Sequence, residues 1–145
     1  MNRILLYLLM VFCVAGAVLS GFSLRAHYST STTEFCALDE TFNCDIVNRS
    51  SYSRLLGVPV ALIGLLGYLL LLTMSFRRDR FFAVLRFGAA AIGLGFALYL
   101  TYIEAYVLAT WCLLCIGSLI AISAVTLFSG VGWFQLRSAG RQADS

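Results

Sequence analysis

Two cysteines separated by two leucines, Cys112 and Cys115, have the spacing needed for thiol–disulfide chemistry. In the first turn of an α-helix, residues three positions apart have Cα atoms about 5 Å apart, which is within disulfide range. The amino terminus of a helix also stabilises a thiolate, the reactive form of cysteine. This C-x-x-C pair is therefore a candidate redox centre.

A second pair, Cys36 and Cys44, lies in the only long polar loop of the chain. Taken alone, this pair favours a structural disulfide, which would stabilise the loop by about 2–3 kcal/mol. If both pairs lie at the same membrane face, they could instead exchange electrons through mixed disulfides. The fifth cysteine, Cys13, has no partner in its apolar run and is expected to be a core residue.

Two alternative roles compete with redox chemistry for the C-x-x-C pair. Free thiols pack well in apolar surroundings, so Cys112 and Cys115 could be core residues. A zinc site would need Cys36 and Cys44 as further ligands, and their spacing of eight residues matches the usual short ligand spacing poorly. Redox function is favoured, and no metal is expected.

The composition predicts a membrane protein. Of the 145 residues, 61% are hydrophobic and 12% are charged, and the mean hydropathy is +0.90. Stretches without charge cover residues 4–24, 55–76, 87–103 and 105–136. The third reaches back to residue 81 if Arg86 extends to the interface, and each then approaches the roughly 20 residues that cross a bilayer. The predicted fold is an all-α bundle of four transmembrane helices.

The placement of arginine predicts the orientation of these helices. Four crossings put both termini and the connection at residues 77–80 on one side, with seven arginines against three on the other side. Cytoplasmic loops carry an excess of basic residues, so both termini are expected in the cytoplasm. All four paired cysteines then face the periplasm or another oxidising compartment, where disulfides persist.

The long outer loop is expected to contain a short amphipathic helix within residues 45–56, ended by Gly57 and Pro59. Residues 1–136 would form the membrane domain, and residues 137–145 a polar, disordered cytoplasmic tail. A cleaved signal peptide is an alternative for the first span, but its apolar run is long for such a signal, so an uncleaved helix is favoured.

Two groups of motifs resemble the vitamin K epoxide reductase family in its bacterial form. The first group reads C-D-I-V-N at 44–48, S-Y-S at 51–53 and G-V-P-V-A at 57–61. The second reads Y-I-E at 102–104 and W-C-L-L-C at 111–115. Each group alone is a weak signal, but with two cysteine pairs at the matching topological positions the likeness covers nearly the whole chain.

The resemblance implies a four-helix bundle around a quinone, which the C-x-x-C pair reduces at the outer membrane face. Carried over to the matching positions, Cys115 lies next to the quinone and Cys112 exchanges with the loop. Cys44 is then the loop cysteine that attacks Cys112, and Cys36 is its partner in the loop.

The resemblance also implies the ligands and partners. Ser53, Leu56 and Leu108 are expected to contact the quinone, which could be menaquinone, ubiquinone or phylloquinone. Apart from the resemblance, the place of Glu104 near the outer end of the third helix makes it a candidate proton donor, although a carboxylate at an interface is usually solvated. Many bacterial members carry a fused thioredoxin-like domain that is not seen here, so a separate thioredoxin-fold protein is expected as the redox partner.

The sequence therefore predicts a disulfide:quinone oxidoreductase that supports disulfide formation. We expect a monomer in the bacterial inner membrane, in contact with lipid and quinone and without a nucleic-acid partner. A second class of four-helix, quinone-coupled enzymes carries its C-x-x-C pair in the first outer loop, which is the reverse of the order found here. A non-enzymatic membrane scaffold with a structural loop disulfide is the other alternative, and it leaves Cys112 and Cys115 unexplained. A transporter is disfavoured because no span carries a charge at its centre.

The predicted orientation can be tested with reporter fusions. A reporter placed after Ser145 is expected to be active in the cytoplasm, because seven arginines hold that side inside. The same reporter within residues 29–33 is expected to behave as exported. An exported carboxyl terminus would contradict the four-span topology.

Overall fold

The computed structural model describes residues 2–29, 39 and 41–143. The helices are α1 (Arg3–Tyr28), α2 (Cys44–Arg49), α3 (Val60–Ser75), α4 (Arg80–Ile103) and α5 (Leu113–Ala143). The strands β1 (Arg54–Leu55) and β2 (Val58–Pro59) form a two-stranded antiparallel hairpin. A 3-10 helix spans Ser51–Ser53, and a π-helical turn at Glu104–Leu108 follows α4.

Three helices are long and apolar enough to cross a membrane: α1, α5, and α4 together with its π-helical turn. Helix α3 is shorter, with 16 residues. The sequence predicts a longer second span because residues 55–76 carry no charge, but residues 55–59 of that run form the hairpin instead. The chain is an integral membrane protein, and its fourth apolar helix falls below the usual spanning length.

The four apolar helices, α1, α3, α4 and α5, pack side by side with antiparallel neighbours. Helix α1 contacts α3 and α5, while α4 contacts α5 and, less extensively, α3. Residues late in α1 meet residues early in α5, as where Leu19 contacts Gly117, and the aromatic rings of Phe12 and Phe128 lie 5.8 Å apart. The apolar core is formed by eight buried residues: Leu9, Cys13, Tyr68, Leu71, Ala90, Ala121, Ile122 and Val125.

One glycine allows the closest approach in the bundle. A Cβ atom at Gly16 would lie 2.2 Å from two ring carbons of Tyr68, so no larger residue fits without displacing the ring. The Tyr68 hydroxyl crosses the bundle and donates to the carbonyl oxygen of Ser118 at 2.7 Å. Small residues permit such contacts between membrane helices, and here the contact fixes one wall of the cavity described below.

The outer segment differs from the predicted amphipathic helix. Helix α2 ends at Arg49 after six residues, and the rest of residues 45–56 forms the 3-10 helix and the first strand of the hairpin. The hairpin turns at Leu56 and Gly57, both with positive φ (53° and 85°). That left-handed region suits glycine and strains leucine, because only leucine has a Cβ atom that clashes there.

Two further expectations are wrong. The side chain of Arg86 is only 1% exposed, so it lies within the bundle and does not extend to the interface. The carboxyl-terminal tail is helical through Ala143, where the sequence predicts a disordered segment, because α5 continues beyond its apolar part.

Candidate active site

A short backbone pairing brings the outer segment against the amino end of α5. The N–H of Trp111 donates to the carbonyl of Thr41 at 2.8 Å, and the N–H of Asn43 donates to the carbonyl of Trp111 at 3.1 Å. The next residue on each strand is a cysteine. Cys44 and Cys112 are both fully buried, and with Val47 they form one cluster.

Cys112 occupies the N-cap position of α5, directly before its first residue, Leu113. Its sulfur accepts a hydrogen bond from the backbone N–H of Cys115 at 3.3 Å, as a serine or aspartate oxygen does in a conventional cap. The first intrahelical bond joins the N–H of Ile116 to the Cys112 carbonyl at 2.9 Å. This N–H contact and the helix dipole both favour negative charge on the Cys112 sulfur.

Cys115 lies in the first turn of α5 and lines a cavity of about 450 Å³. The cavity is mostly apolar and is bounded by α1, α3, α4, α5 and the outer segment. Its volume is within the range of small-molecule sites, which are typically apolar with a few polar groups. The two thiols therefore have different surroundings: Cys112 is buried in the cluster with Cys44, whereas Cys115 packs against that cluster and also borders the cavity.

The carboxyl end of α1 holds α2 in this position. The Nδ1 atom of His27 donates to the carbonyl of Asn48, and the guanidinium of Arg49 donates to the carbonyl of Ser29 at 2.6 Å. The Nε atom of Arg54 donates to Nε2 of His27 at 3.4 Å, so Nε2 is the unprotonated nitrogen and Nδ1 carries the proton. Both ring nitrogens are thus used to fix the outer segment.

The redox states of the described cysteines differ. Cys44 is disulfide-bonded, while Cys13, Cys112 and Cys115 are free thiols. Cys36, the predicted partner of Cys44 in the loop, lies outside the described residues. Cys13 is fully buried in the core of the bundle, as its place in an apolar run predicts.

The three predicted quinone contacts fall in different places. Ser53 and Leu108 line the cavity, and the Ser53 hydroxyl donates to the carbonyl of Ser50 at 2.7 Å. Leu56 does not line it, because the strained turn of the hairpin points its side chain outward, where it is 99% exposed. Two of the three residues therefore meet at the cavity.

Sequence reasoning missed several polar residues of the cavity, Asn48 among them, and misjudged the surroundings of Glu104. Asn48 lines the cavity, and its buried side-chain nitrogen has no hydrogen-bond partner within the described part of the chain. Its position in the C-D-I-V-N motif was the available signal. Glu104 is a candidate proton donor at a position where a carboxylate is usually solvated, yet it is only 3% exposed because the π-helical turn folds it under the amino end of α5.

The cavity offers hydrogen bonds and apolar surface, which suit an organic ligand. Across residues 2–29, 39 and 41–143, no three His, Cys, Asp or Glu side chains group together as metal ligands would.

Comparison with known families gives one match. The model of the vitamin K epoxide reductase family matches residues 7–129, which is most of the chain. The matched range includes the paired outer segment, the C-x-x-C pair and the lining of the cavity.

The cap of α2 provides a test of how the site is held. The side chain of Asn43 accepts hydrogen bonds from the N–H groups of Asp45 (3.0 Å) and Ile46 (3.3 Å). Asn43→Ala removes both bonds at a cost of about 1 kcal/mol, so amide hydrogen exchange in residues 44–49 should accelerate about fivefold. Asn2→Ala is the matched control, because Asn2 precedes α1 without a side-chain cap bond. Equal exchange in wild type and Asn43→Ala would contradict this role.

Proposed function

Since the chain belongs to the vitamin K epoxide reductase family, a family of membrane thiol oxidoreductases, we propose that it is a disulfide:quinone oxidoreductase. It takes electrons from protein thiols through Cys36 and Cys44, passes them to Cys112 and Cys115, and reduces a quinone. This activity would re-oxidise a thioredoxin-fold partner and so support disulfide formation.

The observation that carries the proposal is the burial of Cys44 and Cys112 in one cluster, with Cys115 on the cavity side. Thiol–disulfide exchange needs direct contact between sulfurs, and a quinone needs an apolar site. The arrangement supplies both in adjacent places. A scaffold with a structural loop disulfide would require neither the C-x-x-C pair nor the cavity.

In the relay, a partner thiolate first reduces the Cys36–Cys44 disulfide. Cys44 then attacks Cys112, which forms a mixed disulfide and releases Cys115 as a thiolate. Cys36 next attacks Cys44 and displaces Cys112. The Cys115 and Cys112 thiolates take up the protons that the attacking Cys44 and Cys36 thiols give up, so the transfer ends with both as thiols. The N–H of Cys115 and the helix terminus stabilise the departing Cys112 thiolate, and a stabilised thiolate leaves faster. A disulfide at Cys44 with free thiols at Cys112 and Cys115 matches the state after this transfer.

The last step returns the C-x-x-C pair to its disulfide. A bound quinone supplies the capacity to accept two electrons and two protons. Cys115 borders the cavity, so its sulfur is the donor to this acceptor, and Cys112 closes the disulfide one helical turn away.

Within the cavity we assign head-group recognition to Asn48, with Ser53 and Leu108 beside it. The unpartnered Asn48 nitrogen can donate to a quinone carbonyl, which satisfies a buried polar group that otherwise lacks a bond. The Ser53 proton is already donated to Ser50, so Ser53 is left to accept or to provide surface. Leu108 supplies apolar contact. Leu56 is not part of this assignment because its side chain points away from the cavity.

The proposed setting is the bacterial inner membrane, with both termini in the cytoplasm and the cysteine pairs at the periplasmic face. The cysteine site lies at the end of the bundle where α1 finishes and α5 begins. The Arg77–Arg80 connection lies between α3 and α4 at the opposite end, in agreement with an arginine-rich inner side. At the periplasmic face the separate thioredoxin-fold partner would reach the outer segment.

The relay is tested by crosslinking variants that keep one cysteine of each pair. Cys36→Ser/Cys115→Ser retains Cys44 and Cys112, and mild oxidation should join them, because these residues share one buried cluster. The product is read as a link between the outer segment and α5 on a non-reducing gel after proteolysis. Cys36→Ser/Cys112→Ser is the matched control and should crosslink at least tenfold more slowly, since Cys115 lies at the cavity. Equal rates would contradict the relay.

Quinone reduction by the purified protein and its single-cysteine variants tests the same relay. Purified protein should reduce a quinone with a reduced thioredoxin-like donor. Cys115→Ser should abolish this activity with any donor, whereas Cys44→Ser should retain activity with a small dithiol that reaches Cys112. Equal loss in both variants with the small dithiol would contradict the assigned order.

The role of Asn48 is tested with Asn48→Leu, which keeps the approximate volume and removes the donor. The KM for the quinone should rise about five- to tenfold, as expected for the loss of one hydrogen bond worth about 1 kcal/mol. Crosslinking between Cys44 and Cys112 should not change, since the Asn48 carbonyl still accepts from His27. Ser123→Ala, which removes an exposed hydroxyl on α5, is the control. An unchanged KM would reject the assignment.

A further inference from the structure

A single buried carboxyl group links both thiols of the C-x-x-C pair to the cavity. Glu104 is 3% exposed and lines the cavity. Its Oε2 atom accepts the backbone N–H of Cys112 at 3.3 Å. The same carboxyl group interacts with the Cys115 side chain, which borders the same cavity. The relay described above assigns it no task.

The backbone is distorted at this residue. Glu104 begins the π-helical turn, and its carbonyl accepts the N–H of Thr110 at 3.2 Å. The turn ends at Ala109, which adopts positive φ (50°) although it is not glycine. Single π-helical turns and left-handed non-glycine residues occur preferentially at functional sites. Here the π-helical turn and Ala109 bend the chain so that the N–H of Cys112 lies against the Glu104 side chain.

A purely structural role for Glu104 would be to satisfy the N–H of Cys112. A glutamine would do this equally well, because its side-chain oxygen also accepts. A glutamate in this place instead puts an ionisable group in an apolar site, which costs free energy. The property that glutamine lacks is the ability to take up and release a proton.

We propose that Glu104 carries the proton of the quinone step, an inference that rests on the proposed function. The Glu104 carboxylate accepts the proton of the Cys115 thiol, and the carboxylic acid so formed gives that proton to a quinone oxygen. Two S–H bonds break, the Cys112–Cys115 disulfide forms, and two electrons reduce the quinone. The second proton comes from the Cys112 thiol, so the quinol is complete and the carboxylate is regenerated.

The geometry suits this transfer because one group touches both the donor and the acceptor site. A general acid–base group must be within hydrogen-bond reach of the proton it moves, and such groups contribute about 10²- to 10⁴-fold to a rate. Glu104 interacts with the Cys115 side chain and borders the cavity in which the acceptor would lie. Through Oε2 it also orients the backbone of Cys112, so it is positioned when the disulfide closes.

The test measures two steps separately in pre-reduced protein in lipid nanodiscs, with menadione as the quinone probe. Glu104→Gln should slow single-turnover menadione reduction by at least about 100-fold. Crosslinking of Cys44 to Cys112 is measured in Cys36→Ser/Cys115→Ser with and without Glu104→Gln, and the two rates should agree within about twofold, because glutamine keeps the bond to Cys112. Glu104→Asp keeps the acid and should recover part of the rate. Asp79→Asn removes an exposed carboxylate between α3 and α4 and is the control.

The pH profile separates proton transfer from packing. The other ionisable groups around the site are the Cys112 and Cys115 thiols, His27, Tyr52 and Tyr68 at the cavity, and Asp45 buried on α2. All of them are retained in Glu104→Gln. The wild-type rate should fall at low pH, where protonation of Glu104 removes the acceptor for the Cys115 proton, and Glu104→Gln should lose this decline.

The outcomes separate the two proposals. If wild type reduces menadione and Glu104→Gln does so at a similar rate, the role of Glu104 is overturned and the proposed function stands. If Glu104→Gln slows menadione reduction and crosslinking equally, Glu104 is a structural residue and the inference is overturned. If Cys36→Ser/Cys115→Ser crosslinks Cys44 to Cys112 but wild type transfers no electrons to menadione, both proposals fail.

Discussion

The pairing of Trp111 with the segment from Thr41 to Asn43 is the contact on which the site depends. It consists of two backbone hydrogen bonds, yet it sets the register between the outer segment and the start of α5. Because Cys44 and Cys112 each follow directly after the paired residues, this register buries them together. A shift by one residue would turn the side chains to opposite sides and separate the cysteines.

Other contacts around this pairing also hold the outer segment in place. His27 uses both ring nitrogens, one toward Asn48 and one toward Arg54, so the end of α1 fixes both α2 and the hairpin. The Asn43 side chain caps α2. A six-residue helix has little stability of its own, so these tertiary contacts are what keep Cys44 in place.

The helix bundle beneath the outer segment packs closely and still encloses a cavity. Gly16 lets the Tyr68 ring pack close to α1, and the Tyr68 hydroxyl is satisfied by the Ser118 carbonyl across the bundle. The early residues of the second apolar run form the hairpin, which leaves α3 short. The cavity opens between these elements, and its few polar groups gather near Cys115 and the outer segment. A mostly apolar cavity that holds one unpartnered donor and one carboxyl group favours an apolar ligand with hydrogen-bond acceptors.

By itself, the sequence determined the class of the protein and its family. Long charge-free runs require membrane helices because backbone polar groups in lipid must bond within the segment, and α1, α4 and α5 have the expected length. The motifs around Cys44 and Cys112 indicated the vitamin K epoxide reductase family, and the family match over residues 7–129 confirms it.

Only the tertiary structure decided which side chains meet. Hydropathy could not reveal that residues 55–59 turn as a hairpin, that Leu56 points away from the cavity, or that Arg86 is buried. Glu104 looked like an interfacial carboxylate because its neighbours in sequence are apolar and aromatic. Its burial comes from a π-helical turn and from the N–H of Cys112, eight positions later. Periodicity and composition report the local environment of a segment. Contacts between distant segments depend on register and on strained backbone conformations, and no local pattern in a single sequence encodes these.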